Sequence, residues 1–531
     1  MDEYDFIVVG AGSAGCVLAN RLSESVRFSV CLLEAGPHDN SGFVNVPFGV
    51  IGLIREGKRN WGYQTVAQRA LDSRQLYWPR GKTLGGSSSI NAMVYIRGQP
   101  EDYDAWRDSG LKGWGWDDVR PIFNAHEHNE EYPPDAWHGN GGPLNVTRVR
   151  DPNPLTELFI RAGEELGEKR NDDFNGESQR GFGQFQVTQK DGRRWSAARA
   201  FLDPARSRGN LTILTNAMVS RVVIENGRAV AVEYSDTAGT SHTVRANREV
   251  VLSGGAINSP HLLMLSGIGD ANHLKEKGIN VVHDIKGVGK NLQDHLETYI
   301  QQECKTPDSL YTYTKLIPKV LAGIQWFLSK SGPCSQSYLE AGGFTKSSPE
   351  REMPNIQFHF FPSFVIDHGL VNPSSHGYQL HASPNHPKSR GSVTLNSSDP
   401  YDYPKILFNY LEDEDDLKQT RECIHVARKI LSQPSLAKHA GKEVGPGSDK
   451  QSDDELNEYI RSNAETAYHP CGTCKMGVDE MAVVDENLKV KGIQNLRIVD
   501  ASVMPEIPSA NLNAPTLMIA EKASDLILNN L

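Results

Sequence analysis

The sequence predicts an α/β fold, α+β overall, with a Rossmann-type domain assembled from discontinuous segments and a second domain built on an antiparallel sheet flanked by helices. Three observations carry that prediction. A short apolar run, YDFIVV (4–9), leads straight into GAGSAG (10–15) and a helical stretch. Further strand–turn–helix patterns stand in the middle and near the end of the chain. Between them lie alternating or aromatic runs set off by Pro and Ser, which suit antiparallel strands.

Taken in order, residues 4–9 have the β-branched, apolar character of a buried parallel strand. CVLANRLSE (16–24) reads as the following helix and FSVCLLEAG (28–36) as the next strand, ending on Glu34. The chain therefore opens on one βαβ unit. REVVLSGGA (248–256) is a further apolar strand, and NSPHLLMLSG (258–267) is the helix after it. LRIVDAS (496–502) reads as a strand and APTLMIAEKASDLIL (514–528) as a helix with one apolar face. NIQFHFFPSFVI (355–366), YQLHASP (378–384) and RGSVTLNS (390–397) are read as strands of the antiparallel sheet. DEDDLKQTRECIHVARKIL (413–431) is a helix beside them. These elements place 1–155, 198–296 and 456–531 in the Rossmann-type domain, and 156–197 and 297–455 in the substrate-side domain.

Composition narrows the function. The 531 residues are 38% hydrophobic and 23% charged, which suits a folded chain rather than a disordered one. A net charge of −11 and the lack of a Lys/Arg cluster argue against a nucleic-acid partner. No run of eighteen apolar residues occurs, so no transmembrane helix is expected. The acidic start, MDEYDFIVVG, reads as a strand rather than a signal peptide. Seven cysteines without a repeating framework point to reduced thiols in a cytoplasmic setting. In KLIPKVLAGIQWFLS (315–329), Val320, Leu321, Ile324, Phe327 and Leu328 fall on one helical stripe. That stripe is expected to be core or a lid over the site, with peripheral membrane contact as the alternative.

The glycines Gly10, Gly12 and Gly15 form a GxGxxG between a strand and a helix. Gly10 allows the tight turn, Gly12 the approach of a pyrophosphate, and Gly15 close helix–strand packing. Phosphates then meet the free N–H groups and dipole of a helix N-terminus. Glu34 ends the second strand, where a carboxylate accepts hydrogen bonds from ribose hydroxyls. The pattern implies a dinucleotide and leaves NAD and FAD open. GKTLGGSSSINAMVYIRG (81–98) is a second small-residue loop. Its Gly85, Gly86 and Ser87–Ser89 bring backbone N–H groups and hydroxyls to a phosphate or flavin edge, or else form a structural turn. GAINSPHLLMLSGIG (255–269) reads as a strand-to-helix turn and a helix ended by Gly267.

These two stretches resemble, along their whole lengths, the signature segments of the glucose–methanol–choline (GMC) oxidoreductases. The resemblance continues at GVGKNLQDH (287–295), PKSRGSVTL (387–395) and from His469 to Leu531, so it spans essentially the entire chain. The likeness is to the choline-dehydrogenase-like branch, which includes bacterial dehydrogenases of aliphatic alcohols. It implies an FAD domain, a substrate domain and oxidation of a primary alcohol to an aldehyde, with electrons passed to a quinone-type acceptor or to oxygen. It also implies FAD contacts at Ser13, Ala35, Gly81, Asn91, Ala92, Met93, Val94, Asp500, Ala501, Asn511, Pro515 and Thr516. In that family the position of Ile90 can hold a histidine bonded to the flavin; isoleucine cannot form that bond, so non-covalent FAD is expected.

The catalytic pair implied by the resemblance is His469, in YHPCGTCKMG (468–477), with Asn513, in NLNAPT (511–516). The chemistry agrees. Hydride leaves an alcohol carbon as the hydroxyl proton is lost, which needs a base titrating near neutrality. An amide can donate to the developing alkoxide without competing for the proton. Tyr468, beside the base, is expected to border the substrate. Cys471 and Cys474 form a CxxC with no second pair, so packing is favoured over a redox couple or a metal site. Asp294–His295 is read as structural or cofactor-side. His359 and His381 are equally compatible with core and with a pocket wall. A lyase of the same family and a non-catalytic FAD-binding protein are the rival readings.

Overall fold

The computed structural model describes residues 2–529. Its opening βαβ unit is the one read from the sequence: Asp2–Val9 pairs in parallel with Val30–Glu34 across helix Ser13–Leu22. Phe6–Val9 and all of Val30–Glu34 are buried, as strands covered on both faces must be. Leu211–Thr215 extends this sheet in parallel on one side. Ser241–Leu252 and then Leu496–Ile498 extend it in parallel on the other. Ser241–Leu252 is long enough to do two jobs. Its buried end joins the parallel sheet, while its first half pairs antiparallel with Arg228–Ser235, which in turn pairs with Met218–Glu225. Seven strands result.

Helices Ser13–Leu22, Gly255–Leu265 and Asn513–Leu528 all start near the carboxyl edge of the parallel strands, the edge where open α/β sheets bind ligands. Asn513–Leu528 packs on Ser13–Leu22 and is tied to it by the Arg21–Glu521 ion pair at 2.7 Å. It is buried on most sides rather than on one apolar face.

The second sheet also has seven strands and is antiparallel throughout. Its order is Ala440–Gly445, Leu296–Cys304, Gly377–Pro384, Ile356–Phe361, Ala341–Thr345 and Gly181–Gln184, with Glu465–Thr466 pairing on Leu296–Cys304. Helix Glu414–Leu431 packs across it. Asp413 caps that helix by accepting the Asp415 N–H, and three acidic residues in the first turn suit its dipole.

Three expectations change. The run 355–366 is a strand only to Phe361. The strand in 390–397, Gly391–Thr394, belongs to a separate three-stranded sheet with Lys290–Leu292 and Lys405–Leu407. Alternation marks a strand but not which sheet it joins. The stripe in 315–329 does form a helix, Leu316–Ser329, but it is not core: Ala322 is its one buried residue and the large side chains face outward. Among the described residues no helix is long and apolar enough to cross a membrane.

Candidate active site

A cavity of about 470 Å³ opens between the two sheets. One wall is built from the Rossmann-type sheet. The N-terminus of Ser13–Leu22 has no side-chain cap and no acid in its first turn, so its N–H groups stay available to an anion. The two glycine loops touch there. Gly86 has φ +52°, and a Cβ on it would lie 2.7 Å from the Cα of Gly12. This crowding explains small residues in both loops, and the bare backbone between them fits a dinucleotide pyrophosphate.

Glu34 closes this end. Its two oxygens accept the N–H groups of Ala11 and Gly36, each at 2.9 Å, and burial pushes its carboxyl up to about 7. Asp500 accepts from Ser259 Oγ at 2.6 Å and from the Gly255 N–H at 2.9 Å, joining the turn after the last strand to the helix Gly255–Leu265. Of the predicted cofactor residues, Gly10, Gly12, Ser13, Glu34, Ala35, Gly81, Gly86, Ser87, Asn91, Ala92, Met93, Val94, Asp500, Ala501, Asn511 and Thr516 line the cavity. Gly15, Gly85 and Pro515 do not line it. A Cβ on Gly15 would meet Gly10 O at 1.8 Å, so its role is close packing. Gly85 donates its N–H to Ala11 O at 2.7 Å from behind the wall, and Pro515 is buried in its helix.

His469 faces the cavity from the other end, beside Tyr468. Its backbone N–H donates to Asp294 Oδ1 at 2.7 Å, and Asp294 also accepts from Thr466 and Tyr410. Asp294 is thus the anchor of this loop. Its neighbour His295 has a closer role than the sequence suggested, with its Nδ1 3.0 Å from His469 Nδ1. The other nitrogen, His295 Nε2, lies 2.9 Å from Asn385 O. A carbonyl only accepts, so His295 Nε2 carries the hydrogen and Nδ1 of neutral His295 is a lone pair. His469 must then donate from Nδ1, which leaves its Nε2 bare. Burial first, and then the neighbouring His295 and His359, hold His469 well below the ordinary histidine range. Its neutral form is the one this setting favours.

Asn511 Nδ2 donates to His469 Nε2 at 3.1 Å, and Asn511 Oδ1 accepts from Gln357 Nε2 at 3.1 Å. Asn513 Oδ1 instead accepts from Ser13 Oγ at 2.7 Å. The amide hydrogen-bonded to His469 is therefore Asn511, two residues upstream of Asn513. Asn513 opens the last helix and is drawn toward the first glycine turn, whereas Asn511 lies in the preceding loop. Both line the cavity.

The antiparallel sheet supplies a polar wall that the sequence left undecided. Tyr299, His381 and His359 are register partners on three adjacent strands, so their side chains form one row, and all three line the cavity. Glu297 bridges the histidines, accepting from His359 Nδ1 at 2.6 Å and His381 Nδ1 at 2.8 Å. Burial would raise the Glu297 carboxyl, but the two imidazoles outweigh it and hold it below the usual carboxylate range. Glu297 was missed altogether. The signal was there, since Glu297 and Tyr299 share one face of a strand by period two. Ile90 also lines the cavity, packed with Val44 and Leu53. Cys471 and Cys474 are buried, free thiols pushed well up by burial.

Comparison with known proteins gives the family. Profiles of the GMC oxidoreductase family match residues 4–297 and 387–520. An alcohol dehydrogenase [acceptor] from Pseudomonas putida is 48% identical over 99% of this chain and 96% of its own length. Mitochondrial choline dehydrogenase from Homo sapiens is 48% identical over 99% of this chain and 90% of its own. Among solved structures, a variant of Aspergillus oryzae RIB40 formate oxidase, studied for FAD modification, superposes with a TM-score of 0.94 at 27% identity, covering 100% of this chain and 98% of that one. With both family profiles in place and full-length relatives on either side of the choline–alcohol divide, this chain belongs to the GMC oxidoreductases, FAD-dependent enzymes acting on CH–OH donors.

Proposed function

We propose that this enzyme oxidises a primary alcohol to an aldehyde, with His469 as the base and Asn511 as the amide that steadies the alkoxide. The observation that carries this reading is the directed chain from Gln357 through Asn511 and His469 to His295 and Asn385, which leaves the His469 lone pair at Nε2, toward the cavity. An alcohol whose hydroxyl takes the place of Asn511 at Nε2 gives its proton to that nitrogen. Asn511, still held by Gln357, then donates to the oxygen as its charge develops. Bound FAD supplies the hydride acceptor. Tyr468 and the Glu297–His359–His381 wall border the substrate. Electrons leave to a quinone-type acceptor or to oxygen. Isoleucine at position 90 supports FAD held without a covalent link.

The test is an anaerobic panel of aliphatic alcohols, aromatic alcohols and choline added to FAD-loaded protein. A primary alcohol should bleach the flavin, and air or a dye should then restore it, which identifies the acceptor. A flavin that stays oxidised with every alcohol would overturn the proposal.

A further inference from the structure

The face presented by helix Leu316–Ser329 is outside the chemistry described so far. Leu316, Ile317, Val320, Leu321, Ile324, Phe327 and Leu328 are half to three-quarters exposed. At about 100° per residue they fall within an arc of about 140°. The opposite side is the attached one: Ala322 is buried and Trp326 Nε1 donates to Gly192 O at 2.8 Å. This helix therefore turns its apolar arc to the outside, the reverse of a surface helix packing on a core.

We propose that this arc is the docking face for a lipid bilayer carrying anionic headgroups. Charge is the first reason. Residues 309–339 contain Lys315, Lys319 and Lys330 and no Asp or Glu, in a chain of net charge −11. Lys315 and Lys330 stand at the two ends of the helix and Lys319 on its first turn, all exposed or part-exposed, so their long stems can carry ammonium groups to lipid phosphates while the arc enters the acyl boundary. Size is the second. A helix of 14 residues is about 21 Å long, too short to span a hydrocarbon core of about 30 Å. With a width of about 10 Å it offers on the order of 200 Å², against roughly 800 Å² per partner in a stable interface. A second copy of the chain would gain too little from it alone.

Position is the third. The helix packs on Pro333–Ser335, which packs on Pro47–Gly49, and Phe48 stacks on Tyr338 at 4.2 Å. Tyr338, Val50, Ile51 and Ile54 line the cavity. Exposed Phe43, Ile366 and Val371 lie on segments around helix Val50–Glu56. Docking by this arc brings the part of the cavity wall formed by Val50, Ile51, Ile54 and Tyr338 to the membrane side.

Flotation of FAD-loaded protein with phosphatidylcholine vesicles, with and without phosphatidylglycerol, tests the proposal. The parent should float with the phosphatidylglycerol vesicles and be released as salt rises. The triple variant Leu321→Glu, Ile324→Glu, Phe327→Glu should lose binding by at least about tenfold. Lys315→Gln with Lys319→Gln should weaken binding to anionic vesicles by about tenfold or more and flatten the salt response. None of these residues lines the cavity, so reduction of a soluble dye should stay at the parent rate. A parent that never floats would overturn the proposal, as would a triple variant that floats like the parent. So would light scattering that finds a dimeric parent and a monomeric triple variant, which would assign the face to a second copy.

Discussion

On the proposed mechanism His469 acts as a base only while Nε2 is unprotonated, and its partners are arranged for that. His295 takes the Nδ1 hydrogen, and burial disfavours a charged ring. His469→Ala should keep FAD and slow flavin reduction by ~10²–10⁴-fold in anaerobic stopped flow. Asn511→Ala should slow it by up to ~10²–10³-fold, and the double variant by less than the product, because both residues serve one oxygen. Because the histidine is held low, the acid limb of the reduction rate should fall below the ordinary midpoint of about 6.5. A midpoint above that value, or a His469→Ala variant that matches the parent, would place the base elsewhere. Position 90 gives a second check: acid should release all of the flavin from the denatured chain, and retained colour would contradict a non-covalent link. At this scale the sequence singled out His469 through the family resemblance of YHPCGTCKMG, and the structure sets that residue against the cavity. The same resemblance named Asn513, whereas the amide hydrogen-bonded to His469 is Asn511, because the start of the last helix turns Asn513 toward Ser13.

Elements decide what residues can do, and the antiparallel sheet shows how. Tyr299, His381 and His359 are far apart in sequence and become one row because three strands pair in register. Periodicity placed them on strands; it could not say that the rows meet, nor that Glu297 would bridge two imidazoles. The outward helix Leu316–Ser329 was limited in the same way, since a stripe fixes a face but not its direction. Glu297→Gln tests the row. An amide has one accepting oxygen, so one of the two buried Nδ1–H groups loses its acceptor, which costs about 1–3 kcal/mol. Urea unfolding of the FAD-loaded variant should show that loss, and KM for the best alcohol in the panel should rise. Unchanged stability together with unchanged KM would remove the bridge from the account of the site.

At the scale of the whole molecule, the βαβ start, the glycine loop and the C-terminal segment were legible because each carries its own local signal. How the 81–98 loop is held against the rest of the chain was not. It depends on a buried cluster from four separate stretches: Arg97, Glu127, His138 and Asp173. Arg97 and Glu127 are fully buried, and Asn175 ties the 95–97 backbone to the same region. Burial opposes the charge on Glu127, but Arg97, His138 and the Gly139 N–H outweigh it and bring the carboxyl down to about 2. Burial likewise opposes the charge on His138, yet Asp173 and Glu127 raise it to about 9.

The two shifts set opposite limbs. Unfolded carboxyls take protons near pH 4.3 while folded Glu127 resists until about 2, so stability is lost as pH falls through that range. Unfolded histidine releases its proton near 6.5 while folded His138 keeps it to about 9, so its contribution is lost as pH rises between those values. The cluster should stabilise most between about pH 4.3 and 6.5. Glu127→Gln leaves the Arg97 charge buried without its carboxylate and should cost about 3–5 kcal/mol in urea unfolding. The same change should flatten the acid limb and shrink the alkaline one, where Asp173 alone still supports His138. A loss under about 1 kcal/mol, the range of exposed pairs, would mean that the cluster is screened by water and does not fasten the loop.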